Sequence, residues 1–493
     1  MNKVTTALRV LMEMRPALEG HAGIPQETRL LFRGLSMLED IAVEGLIQSN
    51  QWVLARGLAP KASDNRLEVH RQFDRLGRVV ISLEQVFWHV RMRAALCTMA
   101  MAVRHLLGGR ETLTRFESQH FSDYMWRRFF ANTLPPEDFD VVTRGTFRVA
   151  RIPWNAMHIC ALVTRYLGFP LYPTLNTSQF DLMISETPYP ATVSGRTQLI
   201  VRYHDAIPLL MPHTISDRHY HHAFHYGALR KNAANGAWFV CVSEATRKDL
   251  LSVFPQLEPR SLTIHNMVSH HYFDEPSTPD RIPEIVETRS IVRLDPAFRS
   301  GVRGPLQYLL VVSTIEPRKN HLSLLAAWEI LHAHHNPDLK LLVVGRRGWH
   351  HRPILKKFRP WMDRGEIFLL EDVPAADLRL LYKHSRATVC PSFYEGFDFS
   401  GVEEMMSGTA VVASDITVHR EVYDDAAEFF NPYSTEDLSR ALLSVIDPVN
   451  RERREQLIAR GALVAPRYRH EVILPQWQAF LQSFSQRRGS ERA

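Results

Sequence analysis

The chain has 493 residues, 45% hydrophobic and 23% charged, with a formal net charge of +6. That length allows two ordinary domains with real cores, and the mild basicity suits anionic partners such as nucleotide phosphates or phospholipid headgroups. Zinc-finger spacing and aromatic-flanked basic motifs are missing, so no nucleic-acid partner is expected; four scattered cysteines with no C-x-x-C pair fit a reducing compartment, not a disulfide scaffold.

In chain order, the N-terminal "MNKVTTALRVLMEMRPALEG" carries a basic residue but too short an apolar stretch for a secretory signal. Residues 30–140 show long helical patterns, including "SLEQVFWHVRMRAALCTMAMAVRHLL", and few strand signals. The most apolar piece, "AALCTMAMAV" at 94–103, is too short to span a bilayer and is flanked by Arg91, Arg93 and Arg104. A cytoplasmic protein is expected, with peripheral membrane contact left open. "DLMISE", "LIVRYHD", "WFVCVSE" and "SLTIHN" then read as strands of an α/β domain covering 1–280, with a helical insertion at about 30–140. The Pro-, Gly- and charge-rich stretch after it reads as a linker and solvated excursion, set at 281–304.

From 305 to 465, "YLLVVS", "KLLVVG", "EIFLLE", "ATVCPS" and "TAVVAS" alternate with helical stretches such as "HLSLLAAWEILHAH". Continuous apolar strands alternating with helices predict a parallel sheet covered on both faces, here a second doubly wound domain. Residues 466–493 are expected to form a helix packing back on the first domain, with a basic tail. Two facing Rossmann-like domains place the ligand in the cleft between them, at the carboxyl ends of their strands.

One stretch in the second domain carries specific chemistry. "YEGFDFSGVEEM" follows the strand "ATVCPS" and leads into a helix expected to begin near Ser400 or Gly401, capped by Ser400. Free N–H groups at such a start can bind phosphate oxygens, and Gly396 and Gly401 would let a ligand approach the backbone. Glu395 and Glu403 flank the turn, and a carboxylate's paired acceptor oxygens match a vicinal diol. A nucleotide sugar, with a diphosphate between two sets of hydroxyls, has the matching shape. By spacing alone, glutamates that merely complement the helix dipole fit equally well.

The longer run "PSFYEGFDFSGVEEMMSGTAVVASDITVHREV" resembles the retaining glycosyltransferases of family 4, which share the two-domain GT-B fold. Their mark is a Glu, seven intervening residues and a Glu, here Glu395 and Glu403, followed by "SGTAVVAS". "VVSTIEPRKNHLSLLAAW", "FVCVSEATRKDLL" and "YHDAIPL" match further signatures, and "MRPALEGHAGI", with Gly23, looks like a degenerate N-terminal glycine loop. The resemblance implies that Glu395 contacts the transferred sugar, Glu403 the ribose, and the backbone of Phe397, Asp398, Phe399 and Ser400 the diphosphate. Lys319, helped by Arg318, would neutralise the leaving group. His204 would lie near the reacting carbon, while Asp205 is a structural partner or an acceptor contact.

Departures from the pattern are informative. Thr314 stands where the family has an arginine, which makes Arg318 the candidate substitute. Asp398 replaces a glycine beside the expected diphosphate, where its charge is unfavourable unless it points outward or meets a sugar hydroxyl. His221 and His225 have the spacing of a metal pair, but no third ligand is evident and a solvated helix face is expected; no metal or other cofactor is anticipated.

The resemblance is strongest to bacterial mannosyl- and rhamnosyltransferases of polysaccharide, including lipopolysaccharide O-chain, synthesis. It implies a donor of the GDP-mannose or GDP-rhamnose type, a glycan or lipid-linked acceptor, and work at the cytoplasmic face of the inner membrane. A scaffold that kept the fold without turnover and a sugar-nucleotide epimerase are the alternatives.

Overall fold

The computed structural model describes residues 7–18, 20, 23–59, 69–84, 90–166, 168–291 and 306–490. Two open sheets organise it. The first contains Leu8–Glu13 (β1), Ile41–Ile47 (β2), Thr114–Glu117 (β3), Thr146–Val149 (β4), Leu182–Ser185 (β5), Gln198–Tyr203 (β6), Trp238–Cys241 (β7) and Ser261–Thr263 (β8). Their order is β8-β7-β6-β5-β1-β2-β4-β3, parallel throughout except for the β3–β4 edge pair. The second contains Tyr308–Val312 (β9), Lys340–Val344 (β10), Ile367–Leu370 (β11), Ala387–Cys390 (β12), Val411–Ser414 (β13) and Ala427–Phe430 (β14), all parallel in the order β11-β10-β9-β12-β13-β14.

The strand period of two sorts each run of apolar residues onto opposite faces. Val10 and Met12 of β1 join one core and Leu11 the other. In β9 the split is Leu310 against Leu309 and Val311. Burial on both faces is what makes these strands read as continuous apolar runs. Charges inside the first sheet are answered across it: Glu44 of β2 accepts from Arg148 of β4 at 2.6 Å and from Arg9 of β1 at 3.2 Å.

The helices used below are Ile24–Ser36 (α1), Val69–Glu84 (α2), Val90–Leu106 (α3), Trp154–Arg165 (α4), Arg218–Ala234 (α5), Ile282–Arg289 (α6), Phe399–Met406 (α7) and His470–Ser490 (α8). Three of the sequence expectations change. The helical insertion is narrower than 30–140, because that span includes most of α1 and the central strand β2; the extra helices are α2 and α3. The linker is partly core, since α6 buries Ile282, Ile285 and Val286 among second-domain residues and Ser290 pairs with Leu370. Residues 292–304 of that linker lie outside the described residues. Finally, α7 begins at Phe399 and its cap is Asp398, not Ser400. The C-terminal α8 crosses to the first domain, where Ile473, Trp477 and Leu481 enter its core and Gln478 donates to Asp40 at 2.8 Å.

Candidate functional site

The domains meet at the loops following β6, β7 and β12, the carboxyl ends of their strands. The seam is built from the signature segments. Ser243 Oγ donates to the Gly396 carbonyl at 2.7 Å, and Thr246 Oγ1 does so at 3.2 Å. Glu421 of the second domain accepts the Glu244 and Ala245 N–H groups at 2.6 and 2.8 Å, an anion on the free donors of a first-domain helix start. Tyr394 OH donates to Asp249 at 2.5 Å.

Gly396 is therefore a close-approach glycine, but what approaches is protein. A Cβ built there would lie 1.9 Å from the His204 carbonyl oxygen. The same correction applies to Gly401, where a Cβ would meet the Tyr423 ring at 2.3 Å. Any side chain at 396 would push the domains apart.

Two openings flank this seam. A cleft of about 1060 Å³ is lined by His204, Asp205, Arg318, Glu186, Trp154 and Trp349, among others. A pocket of about 230 Å³ is lined by Thr314, Glu403, Gln26, Tyr272, Gly20 and Arg346. Gly23, at φ 68°, begins α1, whose first turn sends Ile24 to the large cleft and Gln26 to the small pocket. His21 and Ala22 of the degenerate glycine loop lie outside the described residues.

Glu395 sits in the seam with two cations. Lys319 Nζ reaches its Oε1 at 2.5 Å, and Arg318 Nη1 its Oε2 at 2.8 Å. Burial alone would raise the carboxyl's pKa, yet Arg318 and Lys319 outweigh it and hold it below the usual carboxylate range. Arg318 also donates to the Tyr394 carbonyl at 2.5 Å and to Glu316 at 2.7 Å, so it belongs to the cluster while facing the large cleft. Thr314, across in the small pocket, leaves that wall without the family's arginine.

Glu403 is buried among neutral groups: Gln26 Nε2 donates to Oε1 at 2.8 Å and Tyr382 OH to Oε2 at 3.0 Å. Burial pushes its pKa up to about 7 against these hydrogen bonds. Gln26 comes from the first domain, so the second signature glutamate also bridges the seam.

Asp398 points inward, contrary to expectation. At φ 64° it caps α7, accepting from Ser400 N at 3.2 Å and Ser400 Oγ at 2.7 Å, while its Oδ2 meets His419 Nε2 at 3.2 Å. Burial raises its pKa, but the hydrogen bond from His419, with Lys319 and Ser400, brings it well below the ordinary value. The Ser400 N–H expected to hold phosphate is thus already occupied by a carboxylate. Phe397 and Phe399 turn into the core, their rings 5.2 Å apart and Phe397 5.2 Å from Tyr468, so only their backbone remains for a ligand.

In the first domain, His204 follows β6 and its Nε2 lies 3.2 Å from Glu186 Oε2; burial lowers its pKa to about 4. Asp205 accepts the Ile207 N–H at 2.9 Å and turns the loop, a structural role; burial raises its pKa while Arg318 opposes the rise. The histidine face of α5 is not simply solvated, for His219, His221 and His225 line the large cleft, and His225 Nε2 lies 3.3 Å from Tyr203 OH. Among the described residues the group with metal-like spacing is Glu27, Glu186 and His204, not the His221–His225 pair. Neither glutamate was singled out from the sequence; Glu186 is the residue directly after "LMIS", where strand-end loops face the cleft, and that position was the available signal.

Comparison with known proteins accords with this geometry. Residues 297–463 match the family model described as glycosyl transferases group 1. O-antigen chain mannosyltransferase B of Escherichia coli is 28% identical over 244 residues, 50% of this chain and 60% of that protein. Serotype-specific mannosyltransferase WbdA of Escherichia coli is 32% identical over 135 residues, 27% of this chain and 16% of that protein. The matches thus span 60% or less of these relatives' own lengths. Among solved structures, sucrose-phosphate synthase from Thermosynechococcus elongatus has a TM-score of 0.56 at 13% identity, over 97% of this chain and 99% of that one. Anabaena HepE in complex with UDP and glucose gives 0.56 at 13%, over 97% and 100%. At such identities these two establish the architecture alone, two facing α/β domains of the GT-B type. Residues 297–463 thus carry a domain that matches the group 1 glycosyltransferases, set in a chain of GT-B architecture.

Proposed function

We propose that this chain transfers a hexosyl residue, mannosyl or rhamnosyl, from a nucleoside-diphosphate sugar of the GDP type to a glycan or lipid-linked glycan, with retention at the anomeric carbon. The observation that carries the reading is the buried Lys319–Glu395–Arg318 cluster at the seam between a small pocket and a large cleft. The nucleoside occupies the small pocket, with Glu403 and Gln26 at the ribose. The diphosphate lies toward Lys319, and the sugar reaches Glu395 and the His204 loop. Lys319 and Arg318 then stabilise charge on the departing diphosphate, while Glu395 orients sugar hydroxyls. Acceptor and leaving group share one face of the sugar, and the closed seam excludes water.

The acceptor side of the proposal includes an anionic bilayer. Met92, Leu96, Met99, Val103 and Leu106 are all exposed on one face of α3, at spacings of four and three residues. The neighbouring α4 exposes Ile159 and Val163, and Tyr166 just after it is exposed too; all three also line the large cleft, so the apolar face runs into its mouth. Arg93, Arg104 and Arg110 stand around it; Arg104 is paired with Glu111 at 2.7 Å, and the exposed Arg110 complements anionic headgroups. No helix among the described residues is long and apolar enough to cross a membrane.

A scaffold without turnover is the second reading, favoured by one observation, the Asp398 carboxylate on the Ser400 N–H. Mass spectrometry of products from a panel of nucleotide sugars and membrane-derived acceptors tests the choice. Gain of one hexose, lost in Glu395→Gln, is expected; nucleotide binding with no transfer to any acceptor supports the scaffold. Sedimentation with phosphatidylglycerol vesicles, abolished by Leu96→Glu with Met99→Glu, is the expected membrane result, and binding unaffected by that pair would remove α3 as the docking face.

A further inference from the structure

Behind His204 lies a buried set of charges that the transfer reaction does not use. Glu13, Glu27 and Glu186 are each at most 1% exposed. Arg15 Nε donates to Glu13 Oε1 at 2.7 Å, and Glu13 Oε2 accepts the Glu186 N–H at 3.0 Å. Arg202 Nε donates to Glu27 Oε1 at 3.0 Å, its other nitrogens being held by the Ile264 carbonyl at 2.6 Å and Asn266 at 2.7 Å. Three carboxylates therefore meet two guanidinium groups. The oxygens left over, Glu27 Oε2 and Glu186 Oε1, are buried with no hydrogen-bond partner while both are ionised. The two carboxyl groups and His204 nonetheless lie side by side, offering three polar atoms within 4.8 Å of one another.

We propose that Glu27 and Glu186 share one proton, and that this proton makes Glu186 a positioning residue that holds His204 neutral with its Nε2 hydrogen directed at Glu186. One proton completes the charge balance and satisfies both leftover oxygens, a configuration known for carboxylates that cannot ionise together. With Glu186 Oε1 engaged with Glu27, Oε2 is left as an acceptor, so His204 Nε2 must be the donor. A second positive charge beside Arg202 is disfavoured, and the imidazole stays neutral. The remaining charged neighbour, Asp205, faces Arg318 and accepts the Ile207 N–H, so it supplies no competing proton. Burial raises Glu27 to about 8 and Glu186 to about 7, in keeping with a proton retained at neutral pH. A divalent cation in the same place is less favourable, because the Arg202 guanidinium already lies on Glu27.

The shared proton does not depend on sugar transfer; only its consequence for His204 in the reaction rests on the proposed function. Two isosteric variants of the full chain separate the outcomes. Glu186→Gln places an amide where the protonated carboxyl stood, donating to Glu27 and still accepting from His204. Glu27→Gln leaves Glu186 ionised against the ring. Infrared spectra of protein with isotope-labelled glutamate carboxyls should show, beside the contribution of Glu403, a protonated-carboxyl component at pH 7 that both variants lose. Histidine NMR should show His204 neutral in the parent and in Glu186→Gln, with its titration midpoint moved up by about one pH unit or more in Glu27→Gln. A spectrum with no such component, an unmoved His204 midpoint in Glu27→Gln, or stoichiometric metal that both variants lose would overturn the proposal. Unchanged melting of Glu186→Gln verifies that the comparison is made on folded protein.

Discussion

Glu395 and Glu403 stand eight positions apart and are buried to nearly the same degree, 8% and 4% exposed. Their partners differ in kind. Glu395 faces Arg318 and Lys319, which keep it ionised, while Glu403 faces an amide and a phenol, and burial takes its pKa up to about 7. Desolvation is common to both, so the charge of the neighbours decides the protonation state. One glutamate is anchored in an ion cluster that the proposed donor would have to rearrange. The other is poised to change charge near neutrality at the pocket assigned to the ribose.

The largest effect that this contrast predicts is at Glu395. Glu395→Ala leaves the half-buried Lys319 without its carboxylate and Arg318 with Glu316 alone as ion-pair partner, and should lower stability by about 2–3 kcal/mol, measured by denaturant unfolding. Glu395→Gln keeps the shape and should lose less. A melting temperature unmoved by Glu395→Ala would mean that Lys319 and Arg318 find solvent, and the contrast with Glu403 would collapse. Gly396→Ala comes next. Its Cβ collides with the His204 carbonyl backbone, so a penalty of about 1–3 kcal/mol or an opened seam visible by small-angle scattering is expected.

Glu403 sharpens the comparison through pH. Its carboxyl is raised in the fold from 4.5 to about 7, so its stabilising state is the protonated one. That contribution is full below about 4.5 and is lost as pH rises through 7, the reverse of Glu395, whose depressed pKa makes its contribution fade as pH falls. Glu403→Gln should therefore flatten the fall in stability between pH 5 and pH 8, a change of about 1 kcal/mol or more. Asp398→Gly sets opposed effects against each other. It removes a cap and the partner of the buried His419 Nε2, and it relieves a left-handed aspartate, so unfolding should move by about 1–2 kcal/mol. Nucleotide affinity should rise, because the variant frees the Ser400 N–H and removes a negative charge.

How much of this could be read from the sequence differs between the halves for physical reasons. In the second domain, uninterrupted runs such as "YLLVV" and "TVC" announce buried strands, while the Glu395–Glu403 spacing by itself fits a ligand site and helix-dipole complementation equally well. In the first domain, β1 ("LRVLME") and β2 ("IAVEGLI") carry charges that break the apolar pattern. Those charges are neutralised by Arg148, Arg15 and their neighbours, which only the folded sheet brings close. Gln26 meets Glu403 across 377 positions and Glu186 meets His204 across 18, with no periodicity to signal either. Asp398 misled for a different reason: a carboxylate beside an expected diphosphate suggests repulsion and outward pointing, whereas capping of its own helix draws it inward.

In the proposed function the small pocket and the Lys319 cluster together hold a nucleoside diphosphate. Isothermal titration of GDP, UDP and ADP into the parent chain and Lys319→Ala tests it most directly. One of the three nucleotides should saturate a single site, with affinity falling tenfold or more in Lys319→Ala, an amount equal to about 1.4 kcal/mol. Absence of binding by all three, or binding indifferent to Lys319, would contradict the claim.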